Sequence, residues 1–165
     1  MPAFVFVLVL VGAACAADAV VFPDFSSKTL DGQDVSADIF SKEKLTMVNL
    51  WTTWCPACVN GKSTLGGMAR SMPEGSQLVG IVLDVEGVDD TATINEAKGI
   101  LSEAQADFIQ ILPTMEMAPV LRTVRAVPKT IFVNSEGYIV GSPLLGALNE
   151  EAYRAEIERL LNSMR

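Results

Sequence analysis

The segment LTMVNLWTTWCPAC, residues 45–58, constrains the fold more than any other part of the chain. Its first seven residues form an apolar run too short for a helix of its own. The run suits a strand buried on both faces, as central parallel strands are. Thr52 and Thr53 end it, and Cys55-Pro56 follows at once. Proline is favoured at the first position of a helix, where its missing N–H costs nothing. A helix is therefore expected from Pro56 to about Met72, although Gly61, Gly66 and Gly67 make it weak by propensity. Two thiols three residues apart thus fall where a buried strand hands over to a helix.

The remaining elements follow from period and punctuation. FSSKTLDGQDVS (25–36) reads as a hairpin turning at Asp31-Gly32, a favoured tight-turn pair. LVGIVLDV (78–85) is a second buried strand. An amphipathic helix is expected over 91–104, with Ile94, Ala97 and Leu101 at helical spacing. FIQIL (108–112) reads as a short strand and 114–124 as a short helix. TIFVNSEGYIVG (130–141) is a hairpin turning through Asn134-Ser135-Glu136-Gly137. A last helix opens at Asn149, with Glu150 and Glu151 in its positive first turn and Tyr153, Ile157, Leu160, Leu161 and Met164 as its buried stripe. The order, β-hairpin, βαβα, ββ and α, predicts an α/β fold. It has a mixed central sheet with helices on both faces and an N-terminal β-hairpin. The strands at 45–51 and 78–85 are placed centrally, with the 130–141 hairpin antiparallel beside them. A chain of 165 residues, half of them apolar, can bury such a core without metal or disulfide staples.

Residues 1–19 stand apart. No charged side chain occurs from Met1 to Ala17, and Phe4–Val11 is almost continuously apolar before a stretch of small residues with A-x-A patterns. The run falls short of the ~20 residues of a spanning helix and suits the apolar region of a signal peptide. The expected division is a signal peptide or N-terminal membrane anchor over 1–19 and one domain over 20–165. A third fate is lipidation of Cys15, although Gly12 stands three residues earlier, where a bacterial lipoprotein signal usually shows leucine.

Charge and residue usage exclude several classes. The formal charge is −8, without a basic cluster, which leaves no surface for nucleic acid. There is no histidine, so Ser-His-Asp and Cys-His catalysis and imidazole metal sites are absent. Asp84, Glu86, Asp89 and Asp90 do not follow the spacing of a calcium loop and are expected to be a solvated turn. NGKST (60–64) imitates the end of a phosphate-binding loop, but Pro56 holds the position of its first glycine. Thr52-x-x-Cys55 is like the peroxiredoxin T-x-x-C, yet Val48 stands where the upstream proline belongs.

Cys55 and Cys58 admit three uses. Structural zinc needs four ligands, and only Cys15 remains to join them. A permanent staple across three residues would restrict the unfolded chain little. Redox exchange fits the local physics best. Unpaired amides and the dipole at the helix start stabilise an anion, so Cys55 should ionise below the ~8.5 of a free thiol. Cys58, one turn on, would resolve the mixed disulfide that Cys55 forms. Trp51 and Trp54 would form an apolar collar around the sulfur; Trp51 suits a place in the core equally well.

VNLWTTWCPAC resembles the V-N-F-W-A-T-W-C-x-x-C of TlpA/ResA-type thioredoxin-like thiol–disulfide oxidoreductases, and VRAVPKTIFVNSEGYIVG is similar to their V-x-x-x-P-T-T-F-F-I-D-x-x-G-x-I. The resemblance runs from about Phe22 to the C-terminus and implies a thioredoxin-like domain. It implies a cis-proline at Pro128 facing the cysteine pair, with the backbone of Val127 pairing with the substrate chain. Three positions depart from relatives: Asn49 where thioredoxins proper carry a buried aspartate, Gly61 where members used in cytochrome c maturation often have glutamate, and Lys129 after the proline in place of threonine.

The resulting expectation is an exported, monomeric protein-disulfide reductase without a cofactor. It would act on disulfide-containing proteins outside the cytoplasm and receive electrons from a membrane thiol carrier. A disulfide oxidase or isomerase of the same fold, and a non-catalytic binding module, are the alternatives.

Overall fold

The structure is a computed structural model and describes residues 19–165. The signal or anchor assigned to 1–19 (all but Ala19) and the lipidation assigned to Cys15 lie outside the described residues.

The first strands, β1 (Ser26–Lys28) and β2 (Asp34–Ser36), form an antiparallel pair that reverses through Asp31-Gly32, with Gly32 at φ +80°. A 3₁₀ turn over Ala37–Lys42 buries Ile39 and Phe40. All seven residues of β3 (Leu45–Trp51) are buried. Helix α1 (Pro56–Ala69), strand β4 (Ser76–Val82), helix α2 (Thr91–Glu103) and the two-residue strand β5 (Gln110–Ile111) follow. A second 3₁₀ turn (Met115–Met117) runs into the short α3 (Ala118–Leu121). Strands β6 (Lys129–Asn134) and β7 (Ile139–Leu145) precede the final helix α4 (Glu150–Ser163).

The five-stranded sheet has the order β5-β4-β3-β6-β7, with β3 in the middle. Its neighbour β4 is parallel and β6 antiparallel, as the sequence order predicts. Alternation along β3 divides the core. Val48 and Leu50 point to one face, where Phe22, Phe25 and Phe40 pack edge to face, with Met117 and Val120 beside them. Leu45 and Met47 point to the other, against Leu65 and Met68 of α1 and Tyr153, Ile157 and Leu160 of α4. Trp51, on that same face, shares a cluster with both cysteines and with Ala97 and Leu101 of α2.

Boundaries shift for identifiable reasons. Helix α1 stops at Ala69 rather than near Met72, because Met72 precedes Pro73 and that position disfavours helical backbone. The strand expected over 78–85 ends at Val82, since Asp84 leaves the sheet to bind Thr53. The helix expected over 114–124 is split, and Pro119, lacking a backbone N–H, sits in the first turn of its α-helical part. Met164 lies beyond the end of α4 and is exposed, not part of the buried stripe.

Close packing also explains a glycine. A Cβ at Gly66 would stand 2.7 Å from both the Cα of Ala106 and the carbonyl oxygen of Gln105, which are backbone atoms with nowhere to go. Gly66→Ala is therefore expected to destabilise the protein by roughly 1–3 kcal/mol, despite the ~1 kcal/mol that alanine gains in helix propensity. Urea unfolding checks this; a stabilised variant would refute the close approach.

Candidate active site

Cys55 is the N-cap of α1. Its extended backbone (φ −91°, ψ 110°) turns the side chain back over the first helical turn, where Sγ accepts the backbone N–H of Cys58 at 3.1 Å. Pro56, at the first helical position, has no N–H of its own to leave unpaired there. The two sulfurs are joined in a disulfide, with the Cα atoms 5.2 Å apart. The Val127–Pro128 peptide is cis, and the carbonyl oxygen of Val127 lies 3.6 Å from Cys55 Sγ. Asp84 locks the loop leading into Cys55: its carboxylate accepts the backbone N–H of Thr53 at 3.0 and 3.1 Å and the Thr53 hydroxyl at 2.6 Å.

The two tryptophans part company. Trp54 is 69 % exposed beside Cys55. Trp51 is wholly buried and forms no collar, because the alternation of β3 turns its ring into the core beneath the cysteines. Cys55 opens into a groove of about 790 Å³ walled by Trp54, Pro56, Leu83, Leu121, Val124 and Val127. The exposed Arg122 and Arg125 stand along it, a basic margin on a chain of net charge −8.

Under the cysteines lies a polar group that sequence reasoning missed. Lys62 of α1 is completely buried. Its Nζ donates to Asn49 Oδ1 at 2.7 Å and sits 3.9 Å from the centroid of the Trp51 ring. Asn49 Nδ2 in turn reaches Thr130 Oγ1 at 3.5 Å, and the Trp51 indole N–H donates to Gln110 Oε1 at 3.0 Å. Gln110 reaches that position by folding across Gly80, where any Cβ would collide with its amide. The Trp51 face and the Asn49 oxygen favour an ammonium; burial opposes it and prevails, pushing the amine well below the ordinary lysine value. The missed signal was periodicity. Lys62 follows Cys58 by four residues and precedes Leu65 by three, on the face of α1 that enters the core. Gly61 abuts α4's approach: a Cβ there would meet Ala147 Cβ at 3.1 Å.

The acidic run divides its work. Asp84 serves Thr53, while Asp90 caps α2, accepting the N–H of Thr93, and also accepts the N–H of Glu86, which holds its carboxyl below the usual range.

A central β3 flanked by parallel and antiparallel partners, with a disulfide-bonded cysteine pair at the start of the helix that follows it, defines a thioredoxin-like thiol–disulfide oxidoreductase. Residues 16–157 match the Redoxin family, and the chain belongs to it. No curated protein sequence matches the chain significantly. Among solved structures, StoA from Bacillus subtilis is similar with a TM-score of 0.64 and 20% identity, over 82% of this chain and 96% of that one. The pneumococcal exposed lipoprotein thioredoxin Etrx1 from Streptococcus pneumoniae superimposes at 0.66 and 19% identity, over 82% and 98%. A secreted Mycobacterium tuberculosis disulfide oxidoreductase homologous to E. coli DsbE superimposes at 0.63 and 18%, over 82% and 95%. At these identities the likeness is one of fold.

Proposed function

We propose that the protein reduces disulfides of other proteins outside the cytoplasm, with Cys55 as nucleophile and Cys58 as resolving thiol. The observation that carries this reading is the setting of Cys55 Sγ: it accepts an N–H from the first turn of α1, adjoins the Val127 carbonyl and opens onto the groove. In the reduced protein the same N–H would stabilise the thiolate. That thiolate attacks a substrate cystine and expels one substrate sulfur, forming a mixed disulfide. Cys58 then attacks Cys55 Sγ, the second substrate sulfur leaves, and the Cys55–Cys58 disulfide remains. A membrane thiol carrier returns the two electrons.

The groove suits an extended substrate segment lying along Val127, with apolar side chains against Leu121 and Val124. Trp54, exposed at the edge, supplies apolar contact there. Export rests on residues 1–19, cleaved or retained as a tether, with Cys15 as a lipid acceptor in the third case. The exposed and secreted character of two similar proteins favours the same side of the membrane. The domain acts as a monomer over 20–165.

Equilibration with glutathione tests the direction of electron flow. A reductase is expected to poise well below −150 mV; a value above about −150 mV, approaching the strong oxidant DsbA, would identify a disulfide oxidase instead. A protein whose pair never exchanges with glutathione or insulin would be a binding module with a permanent staple.

A further inference from the structure

The reaction above needs a proton acceptor for Cys58. Cys58 is 2 % exposed and sits among apolar side chains, where a thiolate is disfavoured. The position one would search first for a carboxylate, in the middle of β3 under the pair, carries Asn49, whose side chain does not titrate. Asp84, just beyond β4, is engaged by Thr53.

Resting on that reading, we propose that Lys62 takes the proton from Cys58 when the mixed disulfide is resolved, with Asn49 and Trp51 as the groups that hold the ammonium so formed. Lys62 stands one helical turn after Cys58 on the same face of α1 and lies against Trp51, which packs in the cluster containing Cys58. Its surroundings suit an amine that changes state. Asn49 Oδ1 at 2.7 Å and the Trp51 ring at 3.9 Å receive a cation, yet none of the ion pairs among the described residues includes Lys62. With no counter-charge among the described residues to hold the ammonium, burial favours the neutral amine. A structural lysine would be expected to pair with a carboxylate or to reach water; among the described residues this one does neither.

The groups that face Lys62 are otherwise uncharged. From β3 Lys62 is faced by Asn49 and Trp51, with Thr130 of β6 behind the first and Gln110 of β5 behind the second. On α4 the buried titratable group is Tyr153, whose hydroxyl accepts the N–H of Leu148. The step balances without further reagents. The Cys58 S–H bond breaks and its proton passes to the Lys62 amine. The Cys58 thiolate bonds to Cys55 Sγ, and the bond from Cys55 to the substrate sulfur breaks. That sulfur departs as a thiolate with the electron pair and takes a proton from solvent, to which Lys62 returns its own.

Lys62→Met falls one atom short of the lysine's length and removes the exchangeable proton. In protein carrying Cys15→Ala and Cys55→Ala, Cys58 is the one thiol left for thiolate absorbance to read, and Lys62→Met is expected to raise its apparent pKa by about one unit or more. In protein retaining both cysteines, release of a pre-formed mixed disulfide at neutral pH should slow roughly 100-fold. Alkylation of Cys55 in a Cys58→Ser background should be unchanged. A folded Lys62→Met protein with the same Cys58 titration and release rate overturns the proposal. Should that variant not fold, the Cys55→Ala protein with native Lys62 serves: the Lys62 ¹³Cε and Cys58 ¹³Cβ shifts should inflect together, and no shared inflection overturns it. Because both titrations are read without turnover, failure of the reductase reading, seen as no exchange with glutathione or insulin, is distinguishable from failure of the lysine's role.

Discussion

Cys55→Ser is expected to lower insulin reduction by at least about 1000-fold, since an alcohol at that position is a far weaker nucleophile than a thiolate and the two cysteines act as a unit. The geometry makes the two cysteines unequal. Cys55 Sγ borders the groove and receives the Cys58 N–H, whereas Cys58 lies inward among Trp51, Ala97 and Leu101. Cys58→Ser should therefore also lose turnover, but by arresting at the mixed disulfide, because attack remains and resolution is removed. Non-reducing electrophoresis against a cystine-containing protein distinguishes the two. A covalent adduct with Cys58→Ser and none with Cys55→Ser supports the assignment; the reverse pattern exchanges the roles of the sulfurs.

Trp51→Ala is expected to cost about 3–5 kcal/mol, the range for deleting a large buried aromatic. The ring is fully buried between α1, α2 and the sheet, so its loss opens a cavity that α1 closes only by moving the cysteines. Two partners are stranded with it: Gln110 Oε1 loses the indole N–H, and Lys62 loses the face it rests on. A domain of this size loses roughly 2–4 °C per kcal/mol, which gives a fall of about 6–20 °C in the midpoint of thermal unfolding. Trp51→Phe should fall less, since a six-membered ring still fills much of the site, although the five-membered ring and its N–H are lost. A midpoint for Trp51→Ala within 2–3 °C of the native protein, on the scale of 1 kcal/mol, would show that the ring is not the packing centre of that face.

Much of this was legible in one dimension because its causes are local. Seven buried residues in a row, a proline after Cys55, an Asp-Gly turn and the Asn149 cap are each decided by a residue and its near neighbours. Where a sequence pattern allowed two answers, it could not choose between them. Trp51 fitted a collar and a core, and β3's register against β4 and β6 turned it inward. The acidic run 84–90 read as solvated turn, while Asp84 is the clamp on Thr53, a partner 31 residues away. Lys62 read as half of a false phosphate loop, because a charged residue in a helix is assigned to water unless its place in the apolar period is given more weight than its charge.

Composition, spacing and backbone propensity by themselves determined the element order, the strand-to-helix handover and the dithiol that caps α1. The tertiary structure alone decided what surrounds that dithiol: the Val127 carbonyl brought 72 residues along the chain to Cys55, and Asn49 and Trp51 closed over Lys62. The division has a physical basis. Turns, caps and strand alternation are set by interactions within a few residues, whereas the company a buried side chain keeps is set by which strands pair, in what register, and how the helices pack upon them.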